Sequence, residues 1–167
     1  EKSLTNVLHY LRRHGCFKEG VYPEIEAITC RTPSAALRYV RYFANHGISA
    51  ASEAIFLKNP TIGVQYLKMV GKREFSDPTV QKRFRRKFKS NAALAYEWAV
   101  GFNERLTEEE EEVFRKDLSA ACDYAKRVIR GKFPESIHGM LVLASFKDLS
   151  SYQKQRLSEY IKFSEGK

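Results

Sequence analysis

Between Leu118 and Ile137 the apolar positions follow a helical period. Ala121, Tyr124, Ala125 and Val128 fall at i, i+3, i+4 and i+7. That is the spacing of a stripe buried along one side of a helix of about 3.6 residues per turn. Gly131 suits a left-handed cap that ends this helix, and Pro134 with Glu135 suits the first turn of the next. The following stretch carries Met140, Leu141, Val142, Leu143 and Ala144. Being apolar all round, it is expected to be a buried helix.

The pattern recurs along the chain. Tyr10, Tyr39, Tyr66, Tyr96, Tyr124 and Tyr152 are separated by 29, 27, 30, 28 and 28 residues. Three places before each stands a small or aliphatic residue: Val7, Ala36, Gly63, Ala93, Ala121 and Leu149. After each of the first five comes a glycine: Gly15, Gly47, Gly71, Gly101 and Gly131. The tripeptide Glu26-Ala27-Ile28 returns as Glu53-Ala54-Ile55. Thr32 before Pro33 and Asn59 before Pro60 read as helix N-caps, and Asp77-Pro78 opens another helix. Thr107 caps a start followed by the acids Glu108 to Glu112, which suit the positive end of a helix dipole. Alternating β-branched runs and Asn-Gly or Asp-Gly hairpin signals are lacking. The sequence therefore predicts an all-α fold: one domain over residues 1–167, an α-solenoid-like stack of about six helix-turn-helix repeats of roughly 28 residues, with the tyrosines from Tyr39 to Tyr124 mostly buried.

One unit carries a resemblance. Tyr124-Ala125-Lys126-Arg127-Val128-Ile129-Arg130-Gly131-Lys132-Phe133-Pro134-Glu135 resembles the tyrosine- and alanine-rich short helical repeats of bacteriophage and large-virus proteins. The third unit, with Gly71-Lys72-Arg73-Glu74, lacks the proline of that pattern. The resemblance implies a helical repeat and a viral or phage setting. It implies no common activity and no catalytic residues.

Composition changes the picture mainly through charge. The 167 residues carry a net charge of +9, with pI near 9.5. Such a balance favours anionic partners or a strongly solvated surface. Apolar residues make up 43%, low for one central core and sufficient for stacked small units. The chain begins at Glu1 rather than methionine, which points to a processed form or a piece of something longer. No stretch approaches the 18 or so consecutive apolar residues of a membrane span, so no membrane partner is expected. Cys16, Cys30 and Cys122 lack CxxC spacing and read as reduced thiols, which places the chain inside the cell, in cytoplasm or nucleus.

Two basic features stand out. The positions two after each tyrosine are Arg12, Arg41, Lys68, Trp98, Lys126 and Lys154. Each lies about 200° around the helix from its tyrosine and is expected to face solvent. Stacking would align them in a row, widened by Arg13, Arg38, Arg127 and Arg130, that could follow the phosphates of a nucleic acid; an ordinary solvated helix face has the same composition. The second feature is Lys82-Arg83-Phe84-Arg85-Arg86-Lys87-Phe88-Lys89, six cations in eight residues. Val80, Phe84 and Phe88 share its buried face. Three readings stay open for the cations: neutralisation by the acids Glu108 to Glu112, a nucleic-acid patch, or a nuclear-import signal.

Catalytic patterns are missing. His9, His14, His46 and His138 show no metal spacing. His46, before Gly47, reads as a cation at a helix end. GxxxxGK[ST], GxGxxG and GxSxG are absent, so no cofactor, metal site or catalytic residue is expected. The expected function is a non-enzymatic helical module for an anionic partner, of which nucleic acid fits best. An interaction scaffold for an acidic protein is the alternative, and a nucleic-acid-processing enzyme on the same scaffold the third.

Overall fold

A computed structural model describes residues 23–43, 47–144 and 149–166, together with Asn6, Tyr10 and Arg13. The described residues are all-helical, with no strand, and contain ten α-helices. These are α1 (Pro23–Thr29), α2 (Pro33–Phe43), α3 (Ala50–Glu53, tightening to a 3-10 turn over Ala54–Lys58) and α4 (Pro60–Met69). Then come α5 (Pro78–Arg86, with a 3-10 turn over Lys87–Ser90), α6 (Ala92–Phe102) and α7 (Glu108–Glu111, with a 3-10 turn over Glu112–Lys116). The last are α8 (Leu118–Tyr124, widening to a π turn over Ala125–Ile129), α9 (Glu135–Ala144) and α10 (Ser151–Ser164). The chain divides into two compact units, Glu1–Phe84 and Arg85–Lys167.

The caps stand where the sequence places them. Thr32 Oγ1 accepts from Ala35 N, Asn59 Oδ1 from Ile62 N, and Asp77 Oδ1 from Thr79 N. Thr107 and Glu110 form a capping box at the start of α7. Each cap satisfies an amide that the helix itself leaves unpaired.

The interior of each unit is organised by a tyrosine hydroxyl. In the first unit Tyr66 Oη donates to Glu53 Oε1 at 2.8 Å and accepts from Ile48 N at 3.4 Å. Glu53 is fully buried and also accepts from Ser76 N and Ser76 Oγ. In the second unit Tyr124 Oη donates to buried Glu111 Oε1 at 2.9 Å and accepts from Leu106 N at 2.8 Å. Glu111 is joined by Arg105 Nε at 2.9 Å. Both pairs are 13 residues apart. Burial, with help from the partner carboxylate, raises both tyrosines above their ordinary range, so each hydroxyl stays a proton donor. Glu26 in the first unit is likewise buried and accepts from the amide and hydroxyl of Ser49. These polar groups carry their hydrogen bonds into the core and avoid the penalty of unsatisfied burial.

Aromatic rings pack around these hydroxyls. Phe56 stacks on Tyr66 at 4.4 Å between centroids, and Phe114 on Tyr124 at 4.5 Å. Phe75 and Phe133 lie beyond them at 6.1 and 5.7 Å from the tyrosine rings. Two glycines are required by this packing. A Cβ on Gly63 would meet Phe84 at 2.8 Å and Phe56 at 3.2 Å. A Cβ on Gly47, which has φ +102°, would meet Tyr66 Oη at 2.8 Å.

Tyr39, Tyr66 and Tyr124 are buried as expected and Tyr96 is not, while Tyr10 and Tyr152, the first and last of the series, are exposed. In the second unit Trp98, at 1% exposure, takes the slot expected for Tyr96, and Tyr160, ten residues after the cap Ser150, is the buried ring of α10. This corrects the expectation that Trp98 faces solvent. The cause is the length of α5. Caps Asp77 and Asn91 are 14 residues apart, against 10 from Ser49 to Asn59 and 10 from Thr107 to Asp117. The added turn moves the next core ring downstream. Trp98 follows its cap Asn91 by seven residues, as Tyr66 follows Asn59 and Tyr124 follows Asp117. The small residue three places back holds in this register: Ala36, Gly63, Ala95 and Ala121 are buried, whereas Ala93 is exposed.

Two further expectations are corrected. The left-handed residue ending α8 is Arg130 (φ 53°), not Gly131, and α6 ends on left-handed Asn103 (φ 50°). The π turn that extends α8 places its end at Arg130, one residue before the glycine. In α9 only Ile137 and Leu141 are buried, while Leu143 is 67% exposed, because the i, i+4 side alone meets the core. Gly15 and His46 lie outside the described residues.

Exchanging Trp98 for alanine is expected to cost about 3–5 kcal/mol, as for a large side chain removed from a packed core. Tyr96→Ala should cost well under half as much. Urea unfolding of the two variants checks this, and the reverse order would restore the 28-residue register.

Tyr160 extends the hydroxyl pattern with a different partner. Its Oη lies 2.7 Å from His138 Nδ1 and accepts from Phe133 N at 3.4 Å. Burial, then Lys132, lowers His138 below its ordinary value of 6.5, with Glu135 and Glu165 opposing. The folded protein therefore binds this proton less tightly than the unfolded chain. The associated stability is present above about pH 6.5 and lost as pH falls through the depressed value. His138→Gln should flatten the dependence of the urea midpoint on pH between about 7 and 5; an unchanged slope would remove His138 from that role.

Candidate nucleic-acid interface

Most of the anticipated cations reach solvent. In the first unit Arg13, Arg38, Arg41 and Lys68 are exposed, Arg41 and Lys68 in the last turns of α2 and α4. A cation there also complements the negative end of the helix. In the second unit Lys126, Arg127, Arg130 and Lys154 are exposed. Lys126 Nζ is 3.6 Å from Glu159, a weak surface pair. Arg127 meets the Tyr96 hydroxyl. Arg12 lies outside the described residues. Trp98, the one aromatic of the anticipated row, belongs to the core instead.

The dense basic segment of α5 separates into two groups. Val80, Phe84 and Phe88 form its buried face, as the sequence predicts. Arg85, half-buried, bonds Glu110 Oε2 at 2.7 Å and lies 3.7 Å from Glu104. Its guanidinium also lies over the rings of Phe88 and Trp98, at 5.0 and 5.2 Å. Such stacking suits the flat arginine head. Lys89 pairs with Glu109. The acids of α7 thus neutralise Arg85 and Lys89. Lys82, Arg83 and Arg86 are exposed, Lys87 is half-buried, and none of these four has an ion pair among the described residues.

The sequence reading missed a second cluster, half-buried around exposed Tyr152. Arg156 NH1 donates to Asp123 Oδ1 at 2.8 Å, and its Nε donates to Tyr152 Oη at 3.1 Å. Its guanidinium lies 5.3 Å from the centre of the Tyr152 ring. Tyr96 stands near Arg127, Asp123 and Arg156. The signal that finds it is the cap-to-ring spacing: once Trp98 takes the core slot, Tyr96 falls outside it.

Nucleophile chemistry has little support in the described thiols. Cys30 and Cys122 are buried and unbridged. Burial pushes the Cys30 thiol up to about 11 and the Cys122 thiol up to about 12. Both stay protonated at neutral pH and behave as small apolar side chains. Cys16 lies outside the described residues. Among the described residues no three His, Cys, Asp or Glu gather in a way that could hold a metal ion, and no helix is long and apolar enough to cross a membrane.

Comparison of the chain with family models, with curated proteins and with solved structures gives no match.

Proposed function

We propose that the chain is a non-enzymatic helical module that binds an anionic partner inside the cell, with nucleic acid as the class that fits best. The observation that carries this reading is the division of charge on α5. The acidic run supplies partners to Arg85 and Lys89 and none to Lys82, Arg83 and Arg86, which crowd on one short helix. Like charges at this spacing repel one another and are relieved by an anion. A polyphosphate backbone offers such charges in series. Arg41 and Lys68, and separately Lys126 and Arg127, add phosphate-binding groups at the ends of their tyrosine-bearing helices.

The proposed architecture beneath it is an α-solenoid-like stack of helix pairs. The 13-residue Glu–Tyr spacing, shared by Glu53/Tyr66 and Glu111/Tyr124, supports a repeated unit. A viral or phage repeat protein is the setting suggested by the Tyr124–Glu135 segment. The second reading, a scaffold for an acidic protein, draws on the same unpaired cations. It differs in giving a one-to-one complex that needs no nucleic acid.

Replacing Lys82, Arg83 and Arg86 together by glutamine tests the reading. Nucleic-acid affinity should fall with little sequence preference. The slope of log affinity against log salt should flatten by about 0.7–0.9 for each phosphate no longer neutralised. The urea midpoint should hold or rise slightly, because repulsion is relieved. An unchanged affinity and slope would reject α5 as the interface. Failure of the parent chain to bind any nucleic acid at low salt would reject the class of partner.

A further inference from the structure

The three helices α6, α8 and α10 of the second unit pack together through α8. One side of this group bears exposed Arg127 on α8 and exposed Tyr152 on α10, with Tyr96 on α6, Asp123 on α8 and Arg156 on α10 half-buried beside them. Tyr152 keeps 54% of its surface exposed. A large ring left in water forgoes burial, yet this one is not loose. Arg156 holds its hydroxyl by a hydrogen bond and its ring by cation–π contact, while Asp123 holds Arg156. Fixing an exposed ring in advance lowers the entropy lost when something stacks on it.

The charges nearby favour an anionic ligand. Lys126, Arg127 and Arg156 stand against Asp123 and Glu159. The two carboxylates are engaged by Arg156 and Lys126, whereas Arg127 is exposed and has no carboxylate partner among the described ion pairs. An exposed aromatic ring near a guanidinium that no carboxylate neutralises matches a ligand that offers flat π-systems and phosphates together. A duplex offers phosphates and hides the faces of its bases in the stack; a single strand offers both.

We propose that Tyr152 and Tyr96, with Arg127 between their helices on α8, form a base-stacking surface for single-stranded nucleic acid. This rests on the nucleic-acid reading above and narrows it to one strand form and one surface of the second unit. Tyr152 supplies the platform, Arg127 meets the adjoining phosphate, and Arg156 and Asp123 are positioning residues that keep the Tyr152 ring oriented.

The probes are fluorescein-labelled oligothymidylate and a labelled duplex of equal length, titrated by anisotropy into the full chain. Tyr152→Ala should weaken single-strand binding about tenfold, the range for one stacked base, and leave duplex binding unchanged. Tyr152→Phe should retain most of the single-strand affinity, since stacking needs the ring, and lose only the part that the Arg156 hydrogen bond contributes by holding it. Tyr96→Ala combined with Tyr152→Ala should remove the preference for single strands. Circular dichroism of Tyr152→Ala should match the parent, because the side chain lies on the surface. Unchanged single-strand binding in the double variant would overturn this inference, as would a Phe variant as weak as the Ala variant. If the parent binds single strand and duplex alike, insensitively to Tyr152, the stacking surface falls and the wider nucleic-acid reading stands. If the parent binds neither, both fall.

Discussion

A tyrosine hydroxyl held between a buried carboxylate and a backbone amide is the interaction on which each unit depends. It joins three successive segments, the tyrosine lying 13 residues from the carboxylate and 18 from the amide. For Tyr66 these are α4, which carries the ring; α3, which carries Glu53; and the turn at Ile48. For Tyr124 they are α8, α7 and the turn at Leu106. The hydroxyl donates once and accepts once, so the geometry is specified from both sides. A buried carboxylate left without donors would cost far more than the pair contributes. The arrangement therefore fixes how each helix meets its neighbour more than it adds stability, a role for buried polar groups seen where packing alone would permit several solutions.

The second unit varies the theme through residue chemistry. Tryptophan replaces tyrosine in α6, and the residue three places before its tilted ring partner Phe88 is Arg85 where Glu53 and Glu111 stand before Phe56 and Phe114. The ring–acceptor pair becomes a ring–cation pair, with Glu104 and Glu110 supplying the negative charge from outside. At Tyr160 the carboxylate gives way to His138. A buried aromatic is kept while its partner is carboxylate, guanidinium or imidazole. One consequence is that the basic character of α5 has two origins: Arg85 serves the core, and its exposed neighbours do not.

Helical class, caps and the aromatic interior are legible in the sequence because each rests on short-range rules. Thr32, Asn59, Asp77 and Thr107 cap by side chains whose type and place before a helix announce them. Tyr39, Tyr66 and Tyr124 lie on apolar stripes of helical period. What escapes depends on length counted along the structure. A mean interval of tyrosines hides the extra turn in α5, and so puts Tyr96 inward and Trp98 outward. Counting from the cap asparagine rather than from tyrosine to tyrosine corrects both. The division of the cations is equally hidden, since which lysine meets which glutamate depends on how α5 and α7 pack, and periodicity carries no record of that. The glycines mislead for a local reason. Gly47 and Gly71 do adopt positive φ, but Asn103 and Arg130 take that conformation at two other helix ends.

The longer α5 shows what sort of change such a chain absorbs during divergence. Four added residues rotate a helix by about 400°, a full circle plus about 40°, and lengthen it by about 6 Å. The downstream face returns almost to where it was, so Phe88 lands beneath Phe84 on the same side and both stay in the core. An insertion of one or two residues would instead turn that face by about 100° or 200° and drive Arg86 or Lys87 inward. Length variation in helices built like this one should come in whole turns. Related chains would then be spaced unevenly in their aromatics yet keep the seven residues that separate Asn59, Asn91 and Asp117 from the rings that follow them.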